Sequence, residues 1–425
     1  MAILMFGIMI LLIFTGAPVF VAMGAGCASF IMTQDSISLV GIANNLFRGV
    51  NSFTLMAVPF YLLTGELMNS GGTTRRIMDL AQAAVGQFRG GLAHVNILSS
   101  TVMAGMSGSA SADAATTSVI LIPEMVEKGY PKPFSAAVTA CSAVIGPVIP
   151  PSINMLIFAS VASVSVGKMF VAGILPGIVI CIYEMIVTWF IAKRRNYGVV
   201  TKFSWKQFLH ALKRGFLPLL TPVIIMGGIL FGWYTPTEAA VAAALYAGIL
   251  GFIYHEITWK DIPGIILRTT SLTATTMIIV AASNVMGWVA ALDSVPQKLL
   301  SFFLAATSSK AVVIAILILF YLAIGLVMDG VAITLLTTVP IVMPLINSCG
   351  IDPIYFGVVM VVALMIGQIT PPVGMVMYIT TSITKVGLGS FMREAMPYLF
   401  ALFGALITMA LLPNAVVWLP NLLIR

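Results

Sequence analysis

Two stretches far apart in the chain, IGPVIPPSINM at residues 145–155 and IGQITPPVGMV at residues 366–376, interrupt long apolar runs in the same way. Each carries a glycine and then a Pro-Pro pair, the two strongest helix interrupters. An unbroken apolar run of about 20 residues would cross a bilayer core of about 30 Å as one helix. The fold turns on why one chain breaks two such helices alike.

Apolar runs recur from end to end. Of the 425 residues, 60% are hydrophobic and 8% charged, with a mean hydropathy of +1.08. Soluble domains carry about 25% charged residues. The apolar–polar alternation of a barrel strand is absent, so the expected class is an all-α polytopic membrane protein in the lipid bilayer. The N-terminal run MAILMFGIMILLIFTGAPVFVAMGAG (1–26) has no basic leader and stays apolar past residue 20. It reads as a retained first span, not a secretory signal. The formal charge of +7 does not imply a nucleic-acid partner, because the basic residues sit in short loops between spans. Cys27, Cys141, Cys181 and Cys349 form no C-x-x-C pair and read as buried free thiols. The three histidines, His94, His210 and His255, offer no H-E-x-x-H spacing, and no enzyme is expected.

One threading of the spans gathers most basic residues on one side: Arg75, Arg76, Arg89, Lys128, Lys132, the run from Lys193 to Arg214, Lys260, Arg268, Lys385 and Arg393. It leaves Lys168, Lys298, Lys310 and Arg425 on the other, with Arg48 ambiguous. The rich side is cytoplasmic by the positive-inside rule. The basic stretch 193–214 is then the main cytoplasmic loop, and it divides the chain into halves.

Those halves repeat. The offset from Pro150 to Pro371 (371 − 150 = 221) also pairs Thr116 with Thr337, Thr117 with Thr338, Pro123 with Pro344, Gly129 with Gly350, Gly146 with Gly367 and Pro176 with Pro397. Most matches are Gly, Pro or Thr, which chance pairing of apolar segments does not favour. Segment 92–127 begins and ends on the cytoplasmic side and segment 310–350 on the outer side, so the repeat is inverted, as in many secondary transporters. Both segments are too interrupted for plain spans. Small polar residues fill the middle of the first, around Ser107, Gly108, Ser109, Ser111 and Asp113. Each reads as a re-entrant hairpin, with tips near MSGSAS (106–111) and Met328-Asp329-Gly330. Open backbone at that depth is tolerated only inside protein or beside water.

Pro150 and Pro371 remove backbone donors, so carbonyls near Gly146, Val148, Gly367 and Ile369 are expected to be free for a small cation. Hydroxyls of Ser107, Ser109, Ser152 and Thr370 can complete an oxygen shell, which suits Na⁺, with Gly108, Asp329 and Gly330 at the tips. Half-helix N-termini offer N–H groups to an anion. Two plainer readings stand beside these: prolines as simple kinks and the serines as small-residue packing sites. Asp113 and Asp329 are intramembrane carboxylates that do not align in the repeat. Asp329 is the better cation ligand, and Asp113 can equally cap its half-helix. Lys168 and Lys385 read as interfacial snorkels.

GWYTPTEAAVAAALYA (232–247), GMSGSASADAATTSVILIPEM (105–125), GPVIPPS (146–152) and GQITPPVG (367–374) together resemble the large membrane subunit of tripartite ATP-independent periplasmic (TRAP) transporters. The resemblance runs through essentially the whole chain. It implies a multi-pass protein of the bacterial inner membrane and an elevator-type secondary transporter of the ion-transporter superfamily. Coupling would be to two or more Na⁺ ions. The implied partners are a separate small four-helix membrane subunit and a periplasmic substrate-binding protein, and the substrate is an organic acid. In that light residues 1–90 and 193–305 (the latter with the cytoplasmic loop) are expected to form a scaffold, and 91–192 and 306–425 a moving transport domain. TPTEAA reads as scaffold, with Thr235 the N-cap, Pro236 at the first helical position and Glu238 in the first turn. The wall past which the site slides is expected to be smooth and apolar.

No clustered arginine pair lies in the expected site, which favours a monocarboxylate such as a sialic acid over a C4-dicarboxylate. Ser109, Ser111, Asn154, Gln368 and Gly374 are the candidate substrate contacts, Gly374 by allowing close approach. A Na⁺/organic-anion symporter working without a binding protein is the alternative.

Overall fold

The computed structural model describes residues 2–32, 39–198, 202–295, 297, 298, 301 and 309–424. Arg425, counted above on the outer side, and residues 199–201 and 302–308 of the segments just assigned lie outside them. Every regular element among the described residues is helical. The first half holds α1 (Ala2–Phe14), α2 (Val19–Ile31), α3 (Leu39–Val50), α4 (Ala57–Ser70), α5 (Thr73–Val85), α6 (Gly91–Ser107), α7 (Ala110–Glu127), α8 (Lys132–Ser142), α9 (Ile153–Val161) and α10 (Val166–Arg194). The second holds α11 (Trp205–Leu230), α12 (Pro236–Ile253), α13 (Ile262–Leu292), α14 (Lys310–Gly325), α15 (Gly330–Thr337), α16 (Met343–Ser348), α17 (Pro353–Gln368), α18 (Met375–Thr384), α19 (Leu388–Leu411) and α20 (Pro413–Leu423). Helices α10, α11, α12, α13 and α19 are each long and apolar enough to cross a membrane.

The repeat is written in the helix boundaries. Shifted by 221 positions, the starts of α6, α7, α8, α9 and α10 fall within two residues of those of α14, α15, α17, α18 and α19. Gly129 and Gly350, matched in the repeat, both take positive φ, +85° and +60°. One departure has a local cause. Helix α7 runs unbroken, whereas its counterpart passes through a π-turn at Thr338–Val342 between α15 and α16. Pro340 sits in that turn where the first repeat has Val119, and a proline without an N–H shifts the local hydrogen bonding.

Packing crosses the repeats. The second arm of each hairpin lies against the half-helix that follows the other repeat's break: α7 on α18, and α15 on α9. Likewise α8 packs on α19 and α17 on α10. Hydroxyl pairs join α10 to α19, Tyr183 to Thr408 at 2.9 Å and Thr188 to Tyr398 at 2.8 Å. In lipid, packing and such bonds take over the role that hydrophobic burial has in water.

Helices α3, α4, α5, α11, α12 and α13 form the neighbouring packing group. α12 opens with Thr235 as the expected N-cap, and the cap is a full capping box. The Thr235 hydroxyl accepts the Glu238 N–H at 3.3 Å, and Glu238 accepts the Thr235 N–H at 2.7 Å. Ala239, Ala240, Ala243, Ala244 and Ala247 are buried, small side chains that let α4 and α12 approach closely. The Tyr61 hydroxyl closes that contact on the Pro236 carbonyl at 3.1 Å.

Candidate functional site

The first hairpin turns at Gly108, φ +59°. Ser109 is extended and caps α7, accepting the Ala112 N–H at 3.4 Å. This tip presses on the first break. A Cβ added to Gly108 would stand 2.3 Å from the Pro151 carbonyl oxygen, and one on Gly146 would stand 3.3 Å from the Ser109 carbonyl carbon. The break spans Gly146–Ser152 and contains a cis bond between Pro150 and Pro151; Pro371–Pro372 is cis as well. Ser152 then caps α9, accepting the Met155 N–H at 3.1 Å while donating to the Pro147 carbonyl.

The second hairpin is built on a carboxylate. Asp329 is the N-cap of α15 and accepts the Val331 N–H at 2.9 Å. Its neighbour Gly330 brings the tip against both break-bearing segments: a Cβ there would lie 2.9 Å from Asn154 Nδ2 and 3.1 Å from Gln368 Nε2. The second break is tied to the first arm of its own hairpin, because the Gly374 N–H donates to the Leu326 carbonyl at 3.0 Å.

Between the tips lies a cavity of about 350 Å³. Gly108, Ser109 and Ser111 line it from the first tip, Asp329 and Val331 from the second, and Asn154 and Gln368 from beside the breaks. Leu62 of α4 and Leu272, Thr275, Thr276 and Ile279 of α13 close it from the neighbouring packing group. Four helices present their first or second residue to this space: α7 with Ala110, α9 with Ile153, α15 with Val331 and α18 with Met375. The N-termini of α7, α9 and α18 bring N–H groups and the positive end of a helix dipole to it, whereas the Asp329 carboxylate already takes the Val331 N–H at the start of α15. Among the described residues the cavity lining contains no basic side chain.

Among the expected contacts, Ser109, Ser111, Asn154 and Gln368 therefore meet. Gln368 is 2% exposed and its Nε2 has no partner among the described residues. Gly374 does not line the cavity. At φ +48° it turns the chain into α18, and Met375 beside it reaches the space instead.

The expected oxygen ligands divide into two groups. Ser107, Gly108 and Ser109 lie with Gly146, Val148, Pro150 and Ser152 around the first tip and break. Gly367, Ile369 and Thr370 lie beside the end of α14, where a Cβ on Gly367 would stand 2.8 Å from the Gly325 carbonyl carbon. Asp329 and Gly330 stand at the second tip. The Gly367 carbonyl is not free, because it accepts the Thr370 N–H at 3.0 Å; a helix end tightens to satisfy its last carbonyls. The carbonyls of Gly146, Val148 and Ile369 accept none of the loop and cap hydrogen bonds among the described residues. That of Val148 lies against α10, 2.1 Å from where a Cβ on Gly173 would be. Ser107 Oγ is buried without a partner among the described residues. Thr370 Oγ1 donates to the Ile366 carbonyl at 2.8 Å, which leaves its lone pairs outward. Neutral oxygens of this kind fit a hard monovalent cation.

Two placements depart from the expectations. The wall is not wholly apolar: Thr275 and Thr276 face the cavity, their hydroxyls turned to the Ser271 and Leu272 carbonyls at 3.0 Å each. The polar run TTSLTATT (269–276) inside a span was the available signal. Asp113 is not a cap, since Ser109 takes that place. Asp113 lies behind the tip and accepts from Thr117 at 3.2 Å. Close by, a buried network joins α6 to α8 through Asn96–Thr139 (2.6 Å), Ser142–Asn96 (3.0 Å) and Ser100–Ser142 (3.2 Å).

Residues 6–415 match the family model described as the tripartite ATP-independent periplasmic transporter, DctM component. The chain belongs to this family of TRAP transporter large permeases. It is 38% identical to the sialic acid TRAP transporter large permease protein SiaM of Vibrio cholerae, over 97% of this chain and 96% of the relative. It is 34% identical to the 2,3-diketo-L-gulonate large permease YiaN of Escherichia coli, over 95% of each. It is 35% identical to the C4-dicarboxylate large permease DctM of Pseudomonas aeruginosa, over 94% of each. The solved structure of the YdaH transporter of Alcanivorax borkumensis shares the fold, with a TM-score of 0.61 over 87% of each chain at 13% identity. This TRAP large permease is accordingly a multi-pass inner-membrane protein.

Proposed function

We propose that this TRAP permease carries out Na⁺-coupled uptake of an organic acid, with a sialic acid the first substrate to test. The observation that carries this reading is the convergence of the N-termini of α7, α9 and α18 on one cavity that has no basic side chain among the described residues. Such a site suits a single carboxylate held by N–H groups, with Ser109, Ser111, Asn154 and Gln368 oriented toward hydroxyl and amide groups of a sugar acid. Na⁺ would be held by neutral oxygens beside the two breaks and the first tip, with the Asp329 carboxylate at the second tip, where the cation's charge favours the nearby anion. A second carboxylate, as in a C4-dicarboxylate, has no basic side chain to meet there among the described residues. The Vibrio cholerae relative with sialic acid in its name supports the same choice.

In this proposal α4 and α13 belong to a fixed scaffold (1–90 and 193–305). The hairpins and broken helices (91–192 and 306–425) move together past it, as an elevator. A separate small four-helix membrane subunit would hold the scaffold, and a periplasmic binding protein would deliver the substrate.

Reconstitution tests it. The chain, a small subunit and a sialic-acid-loaded binding protein are combined in proteoliposomes under an inward Na⁺ gradient. Accumulation that needs all three components and the gradient is the expected result. Accumulation of free substrate by this chain alone would mean a stand-alone symporter. Accumulation of succinate and not sialic acid would move the substrate to the C4-dicarboxylates.

A further inference from the structure

A second cavity, about 400 Å³, adjoins the first along the same seam and has no part in the reading above. Four of the segments that line the central cavity continue into it. On α13 the lining passes from Thr276 to Asn284, and from Leu62 of α4 to Leu55 in the turn before it. On α9 it passes from Asn154 to Ser160, and on α15 from Val331 to Leu335. At 1.5 Å per helical residue, Thr276 and Asn284 are about 12 Å apart. The direction is toward the Leu292 end of α13, the end that the distribution of basic residues assigns to the outer face.

The charge of this second space is opposite. Among the described residues, the one charged side chain lining the central cavity is Asp329, and the one lining the outer cavity is Arg48. Arg48 makes no ion pair among the described residues, and neither Asp nor Glu lines its cavity. Ser52, Ser160 and Asn284 add hydrogen-bonding groups, and Trp288 adds an aromatic face. The backbone that carries Arg48 is held closely against α13. A Cβ on Gly49 would stand 2.8 Å from Asn284 Cβ, and one on Gly41 would stand 3.1 Å from Trp288 Cη2. An arginine in the last turn of α3 also complements the helix dipole. That complement needs no cavity, and a snorkelling arginine would reach for headgroups instead of lining a space between helices.

We propose that the Arg48 cavity is a carboxylate-binding antechamber, in which the substrate's carboxylate pairs with the Arg48 guanidinium before the anion passes along α13 to the central cavity. The pairing is the planar, two-pronged kind that guanidinium offers carboxylate. A cation between low-dielectric walls also raises the local concentration of anions. The proposal rests on the organic-acid reading given above.

The test is thiol labelling of the full chain in proteoliposomes, with Cys349→Ser as background and Ser52→Cys as reporter. Anionic methanethiosulfonate ethylsulfonate should outpace its cationic trimethylammonium counterpart by about tenfold relative to a free thiol. Arg48→Gln should abolish that advantage and Arg48→Lys should keep it. An unchanged rate with neutral methyl methanethiosulfonate verifies that each variant is folded. N-acetylneuraminate or succinate should slow labelling when Arg48 is present and not in Arg48→Gln. Equal rates for the two charged reagents, an advantage that survives Arg48→Gln, or no slowing by either acid would overturn the antechamber. Slowing by phosphatidylglycerol in place of phosphatidylcholine, without slowing by soluble acids, would give Arg48 to a lipid headgroup and also overturn it. Na⁺-driven uptake by the unmodified complex is scored separately, and its failure would refute the transport reading without touching the labelling result.

Discussion

Asp329 combines two properties that one substitution separates. Its side chain caps α15 through the Val331 N–H, and among the described residues it brings the only charge to the central cavity lining. Asparagine caps a helix about as well as aspartate, so Asp329→Asn removes the charge and keeps the tip. We expect the Na⁺ concentration for half-maximal uptake to rise about tenfold, as loss of one charge–charge contact predicts. Uptake titrated against Na⁺ checks this; an unchanged half-maximum would leave Asp329 a cap only. Gln368 poses a different question, because its Nε2 is buried with nothing to donate to among the described residues. A buried donor costs stability unless a partner arrives. Gln368→Ala should therefore raise the KM for substrate about tenfold at similar maximal rate, the cost of one hydrogen bond to a charged group. A lower maximal rate at unchanged KM would place Gln368 in the domain movement instead.

At the scale of elements, the first tip depends on one glycine. Gly108 is left-handed, and any side chain there runs into the Pro151 carbonyl. Gly108→Ala should separate hairpin from break and cut the maximal uptake rate by more than about tenfold, since a left-handed non-glycine residue alone costs about 1–2 kcal/mol. Uptake near the unmodified rate would show that the contact is dispensable. The capping box of α12 is the contrasting case. It lies outside the cavity lining, so Thr235→Ala should lower stability by about 1 kcal/mol without changing KM. Thermal unfolding in detergent, paired with uptake, separates the two effects; a changed KM would connect α12 to the site.

At the scale of the molecule, the site is a seam between two packing groups. The hairpins and broken helices supply one side, and α4 and α13 the other. The Ser283 hydroxyl crosses the seam to the Leu335 carbonyl at 2.6 Å, a bond that relative movement must break. If the hairpin group moves as a body, Ser109→Cys and Gln368→Cys should both exchange reactivity toward impermeant thiol reagents from one membrane face to the other during turnover. Reactivity confined to one face throughout Na⁺-driven uptake would rule out alternating access at these positions.

The sequence alone determined the local and periodic features. Both breaks, the tips at Gly108 and Asp329, the Thr235 cap and the repeat at an offset of 221 residues all follow from glycine, proline and capping chemistry, which act within a few residues of one another. Ser109, Asn154 and Gln368 were legible for the same reason, as polar groups beside a tip or a break. Tertiary structure alone decided which elements face each other: the crossing of α7 onto α18 and α15 onto α9, the threonine-bearing wall from α13, and the withdrawal of Asp113 behind the tip. Inside a membrane every face of a helix is apolar enough for lipid, so composition does not mark the face that will meet protein. That choice is made by shape and by hydrogen bonds between residues as far apart in sequence as Asn96 and Thr139, or Ser283 and Leu335, and it is settled only when the helices pack.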